Sequence, residues 1–188
     1  TTSSIIAHIL EESNHGGVAF LGGIASNYSS NVILNDKNNV AVVEADEFDK
    51  SFLKLYPDLI VLTSMDPDHL DIYGNQEAFK DNFIAFTDIL KKEDSLIVHE
   101  GISEHFSTSK TYGEGTGNNL KISNVSIQEG AYQFDIIHGQ HLIKGLKLNY
   151  PGRHNLTNTA AAIFVALEVG VSDLAIKKAV ESFKGVKR

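Results

Sequence analysis

The chain is predicted to be an α/β protein, with a mostly parallel sheet flanked by helices and a small antiparallel sheet appended to it. Three observations predict this. Residues 40–44, 59–63 and 96–98 are short, nearly uninterrupted apolar runs of the kind that form strands buried in a parallel sheet. Segments with apolar residues at helical spacing alternate with these runs. From about residue 109 to residue 150 the pattern changes to apolar–polar alternation, which fits half-buried antiparallel strands.

Taken in order, Ile5, Ile6, Ile9 and Leu10 lie on one face of a first helix, which Thr2, Ser3 or Ser4 could cap and Asn14-His15-Gly16-Gly17 ends. Residues 18–21 form a short strand. Gly22-Gly23 and residues 26–31 read as a polar loop, and residues 35–39 as a turn. Residues 40–44 are the next strand, residues 52–56 a short helical connection, and residues 59–63 another buried strand. Phe79, Phe83, Phe86 and Leu90 mark one face of a helix that precedes the strand at 96–98. The alternating strands follow, carried by Leu120, Ile122, Tyr132, Phe134, Ile136, Leu142, Leu146 and Leu148. Pro151-Gly152-Arg153-His154-Asn155 opens a helix whose inner face is Leu156, Ala160, Ile163, Phe164 and Leu167, and Gly170 ends it. Residues 171–183 form a last amphipathic helix with Ser172 as its N-cap. The chain opens directly into a helix with no methionine and no preceding strand, and it is expected to stop at Lys184-Gly185-Val186-Lys187-Arg188 with no terminal element, so it reads as an excised domain of a longer protein.

Composition narrows the function. A length of 188 residues suits one domain with a sizeable core, and the net charge of −8 argues against a nucleic-acid surface. The absence of cysteine removes thiol nucleophiles and Cys–zinc sites, and is compatible with a reducing cytoplasm. No apolar run approaches the ~20 residues of a membrane span.

Two acidic runs stand at strand ends, where parallel sheets place ligand contacts. The first is Glu44-Ala45-Asp46-Glu47-Phe48-Asp49 and the second is Asp66-Pro67-Asp68-His69-Leu70-Asp71. Carboxylates gathered in this way suit a hard cation such as Mg²⁺; the alternative is a pair of solvated turns. Glu44, at the strand terminus, is the strongest metal candidate, while Asp46, Glu47 and Asp49 shape the loop. His69, between two carboxylates, is the most informative of the eight histidines. Thr1 before the first helix is either a plain cap or the tail of a phosphate loop, whose hydroxyl would bind Mg²⁺. Arg153-His154-Asn155 at a helix start fits either ligand contact or capping.

Together these runs resemble the Mur ligase family, the ATP-dependent amino-acid ligases of peptidoglycan precursor synthesis. The resemblance rests on residues 44–52, residues 66–74 and Gly152-Arg153-His154-Asn155 with the alanine-rich helix that follows, and it covers essentially all 188 residues. It implies a single central ATP-binding domain over residues 1–188 with a P-loop-type sheet, the antiparallel subsheet at 109–150 lying inside it. N-terminal UDP-binding and C-terminal ligase domains would lie outside the chain. It also implies roles. Glu44 would bind the Mg²⁺ that bridges the ATP phosphates, and His69 a second Mg²⁺. Thr1 would follow the phosphate-loop lysine, His154 and Asn155 would contact adenine, and Arg188 would touch phosphate at the hinge. Thr63-Ser64 stands where the family often has Thr-Asn.

The implied partners are UDP-N-acetylmuramate and L-alanine, joined through an acyl phosphate, with no nucleic acid and no membrane. A relative that attaches a tripeptide in muropeptide recycling, a non-ligating nucleotide-binding module and a purely structural α/β domain are the competing readings. The 188 residues alone are expected to show no ligation.

Overall fold

The structure, a computed structural model, describes residues 1–37, 39–46, 50–66 and 75–187, without the side chains of Gln76 and Glu93. It divides into two compact units, one made of Thr1–Glu44 and Gly113–Arg188, the other of Ala45–Tyr112.

In the first unit, helix α1 (Thr2–Glu12) buries the predicted stripe of Ile5, Ile6, Ile9 and Leu10. Thr1 takes the N-cap position, so Thr2 and Ser3 lie in the first turn and Ser4 is buried in the helix. The chain then reverses through Asn14, at φ 56°, and two glycines. At Gly17 a Cβ would stand 2.6 Å from the Val40 carbonyl oxygen, which leaves room for glycine alone.

Strand β1 (Gly17–Ala25) pairs antiparallel with β2 (Ser30–Asn35) and parallel with β3 (Ala41–Val43). The sequence reading ended β1 at Leu21 and left Gly22-Gly23 and residues 26–31 as loop. The structure instead carries β1 through both glycines and makes 30–35 a strand. Neither Gly22 nor Gly23 has a positive φ; they are glycines for want of space rather than for a turn.

Helix α1 covers one face of this sheet, where Ala7 packs with Ala19, Leu21, Ala25 and Ile33. On the opposite face Phe20, Val32 and Val43 stand in register across three strands and remain 50%, 39% and 45% exposed. Strand β3 is therefore parallel, as expected, but not buried on both faces.

The antiparallel subsheet is β7 (Leu120–Gln128), β8 (Ala131–His138) and β9 (His141–Leu148). Asp135 accepts hydrogen bonds from Asn124 Nδ2 and the Gly145 amide, both at 2.7 Å, where the two pairings shift register. These bonds hold its carboxyl below the usual carboxylate range. Helices α3 (Arg153–Glu168) and α4 (Asp173–Ser182) follow, and both pack on α1. Ala160, Ala161 and Ala162 are fully buried in α3.

A dense set of contacts fixes residues 182–187. Strand β10 (Val186–Lys187) pairs antiparallel with β1 at Ile24 and Ala25. Asn27 donates from Nδ2 to the Ser182 carbonyl at 2.9 Å, and its Oδ1 accepts from the Lys184 amide at 2.8 Å. Gly185, at φ 87°, lies so close to the Tyr150 ring that a Cβ would come within 2.3 Å of it.

His8 of α1 is fully buried against this segment, with Nδ1 2.8 Å from Tyr28 Oη and Nε2 2.9 Å from Ser182 Oγ. Ser182 Oγ gives its own proton to the Ala179 carbonyl, so it accepts from His8 Nε2–H. Nδ1 is then left to accept from the Tyr28 hydroxyl. Burial lowers the His8 pKa and raises that of Tyr28, in keeping with a neutral imidazole and a protonated phenol.

The second unit contains the parallel strands β4 (Ile60–Leu62) and β5 (Leu96–His99) and all but the last residue of β6 (Lys110–Gly113). Its helix α2 (Gln76–Thr87) is capped by Asn75, whose side chain accepts from the Ala78 amide at 2.8 Å. Phe52, from a 3₁₀ turn at Ser51–Lys54, meets Phe86 edge-on within a core of Ile60, Leu62, Leu96 and Val98. Leu90 packs against this core from beyond the end of the helix, although its spacing had placed it on the helix face.

Candidate functional site

The first acidic run enters the structure at Glu44, the residue after β3. Phe20 of β1 lies opposite Val43, and the Glu44 amide donates to the Phe20 carbonyl at 3.0 Å, extending the parallel ladder by one bond. The next amide along that edge of β1 belongs to Gly22. It donates at 3.2 Å to the Glu44 carboxylate, Oε2, rather than to a backbone carbonyl. The side chain thus takes over the ladder where the strand ends, and its carboxylate is exposed with one oxygen held by a backbone amide. A Cβ on Gly22 would meet Oε1 at 3.0 Å, so the space belongs to the carboxylate.

This arrangement fits a hard divalent cation. Mg²⁺ keeps several waters and takes one or two protein carboxylates together with substrate phosphates, rather than a closed protein cage. Among the described residues no group of three or more His, Asp or Glu side chains comes together, so nothing there builds such a cage.

Thr1 precedes the same sheet's covering helix. Its carbonyl accepts from the Ile5 amide at 3.1 Å, and its hydroxyl makes no capping bond. The fully buried Ser4 hydroxyl, one turn in, has no hydrogen-bond partner among the described residues.

The third motif opens α3. Gly152, at φ 106°, is the N-cap, and a Cβ there would lie 2.8 Å from His154 Cε1 and 3.2 Å from Asn155 Nδ2. The exposed His154 ring is thus folded back over the glycine. Asn155 is only 4% exposed. Its Nδ2 donates to the Pro151 carbonyl, which assigns the other amide atom as oxygen, and that oxygen has no partner among the described residues. A buried acceptor without a donor is uncommon in a folded protein and leaves a valence open to a water or to a ligand N–H. Arg153, read from the sequence as fitting a ligand contact, is ion-paired with Glu114.

The structure therefore carries Glu44, Thr1, His154 and Asn155 on elements of one unit, with α1 packed against both β3 and α3. Of the second acidic run it describes only the start. Ser64 Oγ donates to Asp66 Oδ2 at 2.6 Å and accepts from the Asp66 amide at 2.9 Å. His69, with Asp68 and Asp71, lies outside the described residues, as do Glu47, Asp49 and Arg188. The sequence reading missed Gly22; the Gly-Gly pair that signals it had been taken for a loop.

Fold and sequence place the chain in a known class. Residues 1–166 match the family model of the Mur ligase middle domain, and the chain belongs to that family. Over its full length it is 46% identical to the UDP-N-acetylmuramate–L-alanine ligase of Flavobacterium psychrophilum and 43% identical to that of Christiangramia forsetii, covering 41% of each. The chain thus spans about two fifths of the curated relatives it matches. The crystal structure of UDP-N-acetylmuramate-alanine ligase from Thermotoga maritima superposes on the whole chain with a TM-score of 0.80 at 25% identity, the chain covering 43% of it. The crystal structure of UDP-N-acetylmuramate:L-alanyl-γ-D-glutamyl-meso-diaminopimelate ligase from Neisseria meningitides shares the fold, with a TM-score of 0.81 at 21% identity, over the whole of this chain and 64% of that one.

Proposed function

We propose that this chain is the ATP-binding middle domain of a UDP-N-acetylmuramate–L-alanine ligase, a cytoplasmic enzyme of peptidoglycan synthesis. The observation that carries the reading is the end-to-end similarity, at 46% and 43% identity, to relatives that share this name. Both units belong to one domain in this reading, since the family match runs through the two of them.

The residues support a division of labour. Glu44, aimed by the Gly22 amide, would hold Mg²⁺ on the ATP phosphates, with Thr1 at the start of α1 and Arg188 contributing on the phosphate side. His69 would serve a second Mg²⁺ near the substrate carboxylate. Asn155 Oδ1 would accept from the exocyclic amine of adenine, which satisfies its orphaned valence, and the exposed His154 ring would lie against the base. When bound, Mg²⁺ would neutralise the charge of the triphosphate and the muramate carboxylate, which otherwise repel each other. The γ-phosphoryl group passes to that carboxylate, the L-alanine amine attacks the acyl phosphate, and phosphate leaves. The protein's part is positioning and fixed electrostatics.

The test is phosphate release by the full-length protein with ATP, UDP-N-acetylmuramate and a panel of amino acids and tripeptides. Release that depends on L-alanine is expected, and His69→Ala should abolish it. Dependence on a tripeptide, or on no acceptor, would overturn the reading.

A further inference from the structure

Gly22 and Gly23 are neighbours on one edge of β1, and each is hemmed in by a different part of the chain. Strand β3 covers that edge at residues 18–20 and β10 covers it at residues 24–25. Leu21 and the two glycines fill the gap between. The atoms nearest to a Cβ on Gly22 would all belong to the tip of Glu44, with Oε1 at 3.0 Å and Cδ at 3.3 Å. A Cβ on Gly23 would meet β10, with Val186 Cγ1 at 2.8 Å and the Lys187 carbonyl oxygen at 3.3 Å. Gly22 has no positive φ, so its backbone does not require glycine; the carboxylate does.

We infer that Gly22 is a positioning residue for the metal–nucleotide site: its amide aims the Glu44 carboxylate, and its missing side chain leaves the carboxylate room to be aimed. This rests on the reading of Glu44 as a metal ligand. A carboxylate that keeps one oxygen on a backbone amide presents the other in a fixed direction, and loss of such an outer partner commonly weakens metal binding by about 10- to 100-fold. Ala at position 22 keeps the amide but pushes Oε1 away, so the expected loss sits at the low end, about tenfold.

The experiment uses the full-length protein, Mn²⁺ as the probe read by electron paramagnetic resonance, and a non-hydrolysable ATP analogue. Gly22→Ala should weaken Mn²⁺ binding about tenfold, in the range typical of lost outer partners, while the melting temperature holds, because the nearest atoms to the new methyl are those of a flexible side-chain tip. In a Glu44→Ala background the same substitution should add nothing. Gly23→Ala serves as the comparison: it should lower the melting temperature through β10 and leave Mn²⁺ affinity unchanged. Wild-type Mn²⁺ affinity in Gly22→Ala, with Glu44→Ala weakened, would overturn the role of Gly22 alone. An undiminished Gly22→Ala effect in the Glu44→Ala background would overturn it too. Unchanged affinity in Glu44→Ala itself would overturn the metal reading and this inference with it.

Discussion

Acidification should loosen residues 182–187 through His8. The ring is fully buried, and both nitrogens are committed, Nε2–H to Ser182 Oγ and Nδ1 to the Tyr28 hydroxyl. Burial lowers its pKa below the ordinary 6.5, against a smaller opposing pull from Glu12. The sign follows directly. Above pH 6.5 neither the folded nor the unfolded imidazole is charged, and the network keeps its full stability. As the pH falls below 6.5, the unfolded chain takes up a proton that the folded chain refuses, so stability declines until the lowered folded pKa is reached. The slope in that window approaches at most about 1.4 kcal/mol per pH unit for one proton.

His8→Ala removes the titration and costs about 3 kcal/mol above pH 6.5, from a cavity and two abandoned partners, a difference that narrows as the wild type loses stability below that pH. The assay is hydrogen exchange of the α1 and 182–187 amides in the full-length protein, corrected for intrinsic exchange, from pH 8 to pH 5. Wild-type protection should fall between pH 6.5 and 5 more steeply than that of His8→Ala, which starts lower. Parallel profiles would refute the reasoning, since a network that ignores the proton cannot depend on a neutral imidazole.

Two further outcomes are expected. Asn155→Ala should raise the KM for ATP about tenfold, as befits the loss of one buried hydrogen bond to a ligand, and leave the KM for L-alanine unchanged in initial-rate kinetics. Gly185→Ala should destabilise by about 3 kcal/mol, combining a left-handed backbone with overpacking against Tyr150, while Gly130→Ala, at φ 80° with open space around it, should lose only about 1 kcal/mol in thermal unfolding.

What the sequence revealed depended on how local the cause was. The parallel strands β3, β4 and β5 announce themselves as apolar runs, and the opening of α3 is written in Gly152-Arg153-His154-Asn155. Strand β2 was hidden because only Ile33 of its apolar residues turns inward, and its partner strand contains two glycines. Those glycines answer to Glu44, 22 residues from Gly22, and to β10 at the far end of the chain. No local pattern records either contact. His8 could be read only as a surface or core residue, since its partners lie 20 and 174 positions away. In the same way His141 and Asp173, 32 residues apart, form a pair 2.8 Å apart that no ligand-like spacing foretold.

Asn27 has a consequence on a slower clock. One amide side chain serves two backbone positions with opposite needs, its nitrogen giving to the Ser182 carbonyl and its oxygen receiving from the Lys184 amide. Deamidation, a chemical route by which asparagine ages, would keep the shape and replace that nitrogen with an oxygen. A carboxylate would then face the Ser182 carbonyl, and one of the two bonds by which residue 27 fastens this segment would become a repulsion. Stored protein would lose its grip on this segment one asparagine at a time, with a mass change of about one dalton to report it.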